Sequence, residues 1–156
     1  MAEIIKQRIT ADVNDEFVVF LIGMRVNALW KVHKWLPVAI AMSKMLRELN
    51  ENKDLGFISQ EQWAGRTTIM VQYWKSFKHL EAYAKAKNSN HLPAWKAFNK
   101  LVGSNGDVGI WHETYLSKPG SVESVYNNMP SFGLAKAMGH VAATGKHKTA
   151  GSRLAR

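Results

Sequence analysis

"DVGIWHETYL", Asp107 to Leu116, is the stretch on which the fold turns. Apolar and β-branched residues crowd its middle, as in a β-strand, yet a histidine and a glutamate stand side by side at its centre. Successive residues on a strand point to opposite faces. Ile110, His112 and Thr114 therefore share one face, and Trp111, Glu113 and Tyr115 the other. A strand here closes a definite series, which is read by working backwards. Gly103 to Gly106 is a turn. "SFKHLEAYAKAKNSNHLPAWKAFNKLV", from Ser76, reads as a helix to about Lys87, a break at Asn88-Ser89-Asn90, and a second helix to Val102. Before it, "GFISQEQWAG" and "TTIMVQYW" make a hairpin around Ala64-Gly65-Arg66. After Trp30, the positions Val38, Met42, Met45, Leu46 and Leu49 follow helical spacing, with Pro37 expected in the first turn. Phe17 to Asn27 is a buried strand that turns polar at its end.

The order is β-α-β-β-α-β, a ferredoxin-like α+β domain with an antiparallel sheet and its helices on one face. The other face is left bare, so two copies are expected to meet sheet to sheet as a homodimer. Both faces of the Asp107–Leu116 strand would then be covered, and each polar side chain would need a partner. The expectation is His112 toward the helices and Glu113 toward the second sheet.

A chain of 156 residues with 46% hydrophobic residues and six tryptophans supports one well-packed domain. Cysteine is absent, which excludes disulfides and thiolate metal sites and fits a cytoplasmic setting. "MAEIIKQRIT" lacks the apolar run of a signal peptide, and Phe17–Met24 is too short to cross a bilayer, so no membrane partner is expected. The net charge of +9 is concentrated at the end: Lys136, Lys146, Lys148, Arg153 and Arg156 have no acidic neighbour beyond Gly133. Such a run reads as solvated surface and not as a specific nucleic-acid site. The domain is accordingly drawn over residues 1–137, with a C-terminal arm from 117, and 138–156 as a basic, partly disordered tail.

"YWKSFKHLEAYAKAKNSNHLPAW" resembles the second-helix region of antibiotic-biosynthesis-type monooxygenases, through Trp74, Ser76, Leu80, His91 and Trp95. The W-H-E-T-Y, P-G-S-x-E-S-x-Y and N-M-P-x-x-G-L strings between Trp111 and Leu134 resemble a narrower group. That group is associated with the fumagillin-pathway monooxygenase and is also labelled phenylacetaldoxime-dehydratase-like. The resemblance spans about Phe17 to Ala137. It implies a dimeric α/β barrel with a pocket between helices and sheet in each subunit. Relatives with this fold include cofactor-free oxygenases, haem-degrading oxygenases, haem aldoxime dehydratases and proteins not known to be enzymes, so the site must be argued separately.

Four residues are candidates for chemistry. His112 would serve as a general base or as a hydrogen-bonded structural link. Arg25 and Asn27, two apart on one strand, point the same way. The resemblance suggests Asn27 as the counterpart of an asparagine above the reaction centre; Arg25 would neutralise an acidic substrate or pair with Glu61 or Glu113. His91, after the "KNSN" break, could project inward as a base or, as the resemblance implies, as the iron ligand of a haem. Trp74, Tyr83, Trp95, Trp111, Tyr115 and Tyr126 are expected to line a pocket for a small apolar molecule or to serve as core. The segment from Lys118 is expected to fold back as a lid or dimer arm, with Glu123 and Tyr126 at the pocket mouth. No P-loop, GxGxxG, HExxH or nucleophile elbow is present. Three functions remain: a small, cofactor-free oxygenase of an aromatic or polyketide-like molecule, a haem protein, and a non-catalytic binder of a hydrophobic ligand.

Overall fold

The structure is a computed structural model and describes residues 2–86 and 91–155. The break expected at Asn88-Ser89-Asn90 lies outside the described residues.

Its elements are β1 (Ile9–Ala11), β2 (Phe17–Val26), α1 (Val32–Glu51), β3 (Phe57–Trp63), β4 (Ile69–Trp74), α2 (Phe77–Lys85), α3 (His91–Leu101), β5 (Val108–Ser117), α4 (Gly133–Met138), β6 (His140–Ala142) and α5 (Ala150–Leu154). The main sheet has the order β3-β4-β2-β5, antiparallel throughout. From β2 to β5 this is the expected ferredoxin-like α+β arrangement. The strand β2 is central, which explains its unbroken apolar run: both faces are covered. Even-numbered Val18, Phe20, Met24 and Val26 pack toward α1, α2 and α3, while Phe17 and Val19 join the core on the opposite face. Gly23 interrupts the run because a Cβ there would collide with the carbonyl of Thr68, at the start of the neighbouring strand.

Ser76 caps α2 by accepting from the His79 N–H. The helix α1 begins earlier than Pro37 suggests: the proline lies in its second turn and forgoes the bond to the His33 carbonyl. A salt bridge of 2.8 Å from Lys31 Nζ to Asp107 Oδ1 ties the start of α1 to the start of β5.

Two expectations are corrected. The second face of the sheet is not bare within one chain. The strand β1, the segment after β5, and α4 lie against its β3–β4 half, burying Ile9, Phe17, Tyr73, Leu134 and Ala135 together. The segment after β5 is therefore a strap on the side away from the pocket, not a lid. Glu123 pairs with Arg153, and the Tyr126 hydroxyl accepts from the Leu134 N–H at 3.1 Å, so neither stands at a pocket mouth. Secondly, residues 138–155 do not trail loosely. The strand β6 pairs with β1, with Thr10 opposite Val141, and Arg153 is 4% exposed.

Candidate functional site

A chamber lies between α1 and the main sheet, closed at one end by α2 and α3. Phe20 and Ile22 of β2, Met42, Met45 and Leu46 of α1, and Met70, Gln72 and Trp74 of β4 form its walls, with Tyr83 and His91 at the helical end. It holds about 450 Å³ of empty space, counting its mouth, and only a small part is wide enough for a water molecule. Three methionines in the wall make its width adjustable, because an unbranched thioether chain changes rotamer at little cost.

Alternation on β4 puts Met70, Gln72 and Trp74 on the helix side. An indole N–H can only donate, so the 3.0 Å contact of Trp74 Nε1 fixes Gln72 Oε1 as its acceptor. The Gln72 amide nitrogen then faces Met70 Sδ at 3.1 Å, a weak acceptor. Cross-strand, the Oε1 of Gln60 is buried with no hydrogen-bond partner among the described residues.

At the helical end, Tyr83 donates its hydroxyl to Glu48 Oε2 at 2.8 Å. Burial, then the bond to Glu48, push its ionisation far above the ordinary phenol range, so it stays a neutral donor. His91 opens α3, and its Nδ1 lies 3.0 Å from the Ala84 carbonyl in the last turn of α2. Such carbonyls lack helical partners and seek donors. Since a carbonyl only accepts, Nδ1 is the donor in this contact, and Nε2 is the ring nitrogen left over for other chemistry.

Trp74, Tyr83 and His91 are thus brought together at the chamber. The other candidates are not. His112 does face the helix side, opposite Ile22, and Glu113 the other side, opposite Leu21. But β5 is an edge strand, and His112 is exposed, its ring 5.6 Å from that of Phe20. Arg25 points to the opposite face from the chamber. Its Nε donates to Asn27 Oδ1 at 3.1 Å and it bonds Thr67, while Asn27 Nδ2 donates to the Gly106 carbonyl at 3.0 Å. The pair fastens two loops and meets neither glutamate: Glu61 binds Lys136, and Glu113 accepts from Tyr115. Trp95 is half exposed on α3 and stacks on Phe98. Trp111 donates to the Thr68 carbonyl on the second face, where Tyr115 and Tyr126 also lie, because odd positions of β5 face away from the helices.

Gln72 escaped notice in the sequence, although a lone amide between Met70 and Trp74 on an apolar strand face was a readable signal. Glu48 was not readable, because its pairing with Tyr83 joins residues of two helices.

The imidazole chemistry of His91, with one nitrogen anchored and one free, suits an axial ligand of haem iron. As it stands the chamber is narrower than a porphyrin, and a haem there would need the Met42, Met45 and Met70 side chains to move aside. Among the described residues, no cluster of three or more histidines and carboxylates could hold a metal ion, and no helix is long and apolar enough to cross a membrane.

Known proteins resemble this chain in sequence and in fold. Monooxygenase af470 of Aspergillus fumigatus is 28% identical over 150 residues, covering 82% of this chain and 53% of that protein. An aldoxime dehydratase crystal structure superposes with a TM-score of 0.68 at 16% identity, covering 92% of this chain and 45% of that one. SnoaB, a cofactor-independent oxygenase from Streptomyces nogalater, gives 0.47 at 13% identity, over 67% of this chain and 95% of that one. The chain spans about half the length of the curated relative it matches. A family profile matches residues 17–134, from the first strand of the main sheet into α4, and the chain belongs to the Monooxygenase af470-like family.

Proposed function

We propose that this chain is a small monooxygenase that oxidises a slender apolar aromatic or polyketide-like molecule in the chamber, with the substrate supplying the electrons. The observation that carries this reading is His91: a histidine at the end of an apolar chamber, its Nδ1 tied to Ala84 and its Nε2 free to take a proton. A CH₂ beside a carbonyl loses a proton to Nε2. The carbanion adds to dioxygen, and the resulting peroxide loses water to leave a new carbonyl. One dioxygen and two substrate hydrogens become one carbonyl oxygen and one water, so no outside reductant is needed. His91 is preferred to His112 as the base because geometry precedes pKa in choosing one, and only His91 reaches the chamber.

The functional unit is proposed to be a homodimer. Relatives about twice as long support this, as does the β2–β5 half of the second face, where Tyr115 is 50% exposed and no strap lies over it.

Oxygen uptake with aromatic ketones bearing an acidic CH₂, such as β-tetralone, tests the reading without added cofactor. Wild type is expected to consume oxygen in step with product. His91→Ala should fall by about 10²–10⁴-fold, the usual worth of a general base, and His112→Ala should not. Equal rates in wild type and His91→Ala remove the assignment. A saturable Soret band on haem titration, lost in His91→Ala, would favour the haem reading instead.

A further inference from the structure

Gln72 is 6% exposed, lies on the sheet wall of the chamber, and has its amide orientation settled by Trp74. Its amide nitrogen carries two hydrogens. One meets a thioether sulfur, and the second meets no protein acceptor among the described residues. The buried Oε1 of Gln60 on the adjacent strand does not receive it. A buried donor left without an acceptor is unfavourable and is as a rule satisfied by something. The remaining lining is almost wholly apolar, and the Tyr83 hydroxyl is turned to Glu48.

We propose that the Gln72 amide N–H is the polar anchor of the chamber, and that it takes ligands carrying a ketone-type oxygen on an otherwise apolar frame. This rests on the monooxygenase reading of the same chamber and deepens it. A carbonyl oxygen held by Gln72 gains negative charge when the neighbouring CH₂ loses its proton, and the N–H donor strengthens its hold as that charge develops. The anchor thus selects the substrate class and steadies the enolate, while His91 takes the proton. Trp74 acts as a positioning residue: its N–H occupies Gln72 Oε1 and so fixes which end of the amide is the donor.

The test uses β-tetralone and tetralin, two frames of nearly one shape with and without the carbonyl, titrated into the full chain under nitrogen. The Gln72 side-chain amide protons are followed by NMR. The ketone is expected to move them downfield and to bind about 3- to 10-fold tighter than the hydrocarbon, the usual worth of one neutral hydrogen bond. In Gln72→Leu this preference should vanish while tetralin affinity stays within twofold. A purely structural glutamine would respond equally to both probes, which would overturn the proposal, as would an unchanged preference in Gln72→Leu or no saturable binding of the ketone. If Gln72→Leu does not fold, the wild-type amide shifts decide alone. Because binding is measured without oxygen, a ketone-specific shift combined with no oxygen uptake sinks the oxygenase reading and leaves the anchor standing.

Discussion

Tyr73 and Tyr83 show how single residues carry the stability of this molecule. Burial, then the charges of Tyr126 and Glu61, push the Tyr73 hydroxyl up to about 12, and Tyr83 is raised further by burial and Glu48. An unfolded chain would ionise both near pH ~10. The neutral phenols therefore favour the fold fully below about pH 10, and that contribution is lost as pH rises toward 12, where the unfolded chain has released protons that the native one retains. The urea midpoint is expected to fall steadily across this window. At about pH 11 the phenolate absorbance of the native chain should lag behind that of the urea-unfolded chain; coincident titrations would contradict the buried placement of both rings. Tyr83 was named in the sequence only as one of several aromatic residues expected to line a pocket or serve as core. Its partner Glu48 lies 35 residues away on another helix, a pairing no local pattern encodes.

At the scale of elements, the strap after β5 depends on a clasp near the end of the chain. The N–H of Ile9 donates to the Tyr126 carbonyl and that of Tyr126 to the Ile9 carbonyl, both at 2.9 Å, while β6 pairs with the other edge of β1. Arg153 joins Glu123 and also donates to the carbonyls of His147 and Lys148. A capping box between Thr149 and Ser152 starts the short helix that presents it. Arg153→Ala removes the cation from a mostly buried pair and is expected to cost about 3 kcal/mol. In hydrogen exchange, the amides of Ile9 and Tyr126 should lose protection while Phe20 in the main sheet keeps its own. Uniform loss across the sheet would mean that the strap is not a separable unit. The basic residues at this end looked like a solvated run because composition reports charge and not which guanidinium finds a carboxylate.

For the whole molecule, the strap covers the β3–β4 half of the second face, and the proposed homodimer would use the β2–β5 side, where Tyr115 is 50% exposed. Sedimentation of wild type is expected to give a dimer, and Tyr115→Glu, which places a charge beside Glu113 on that surface, a monomer with its secondary structure intact. A monomeric wild type would leave the dimer proposal without support. A Tyr115→Glu variant that stays dimeric would place the contact elsewhere, the exposed α1 stripe of Val32, Leu36 and Ile40 being the next surface to test.

Strand alternation in Asp107–Leu116, the helical spacing from Val38 to Leu49 and the hairpin around Ala64–Arg66 could all be read from the chain alone. Each is a local, periodic pattern, and the order of such elements is enough to specify a β-α-β-β-α-β sheet. His91 could be singled out because it follows a break between two helical patterns, but its contact with the Ala84 carbonyl at the chamber end is a tertiary result. Tertiary structure alone decided that β5 lies at an edge, which leaves His112 in solvent despite its correct face. It alone turned Arg25 to the far side and folded the arm over the chain's own sheet. Those outcomes depend on which distant surfaces bury one another, a global competition for apolar cover that no short window of residues records.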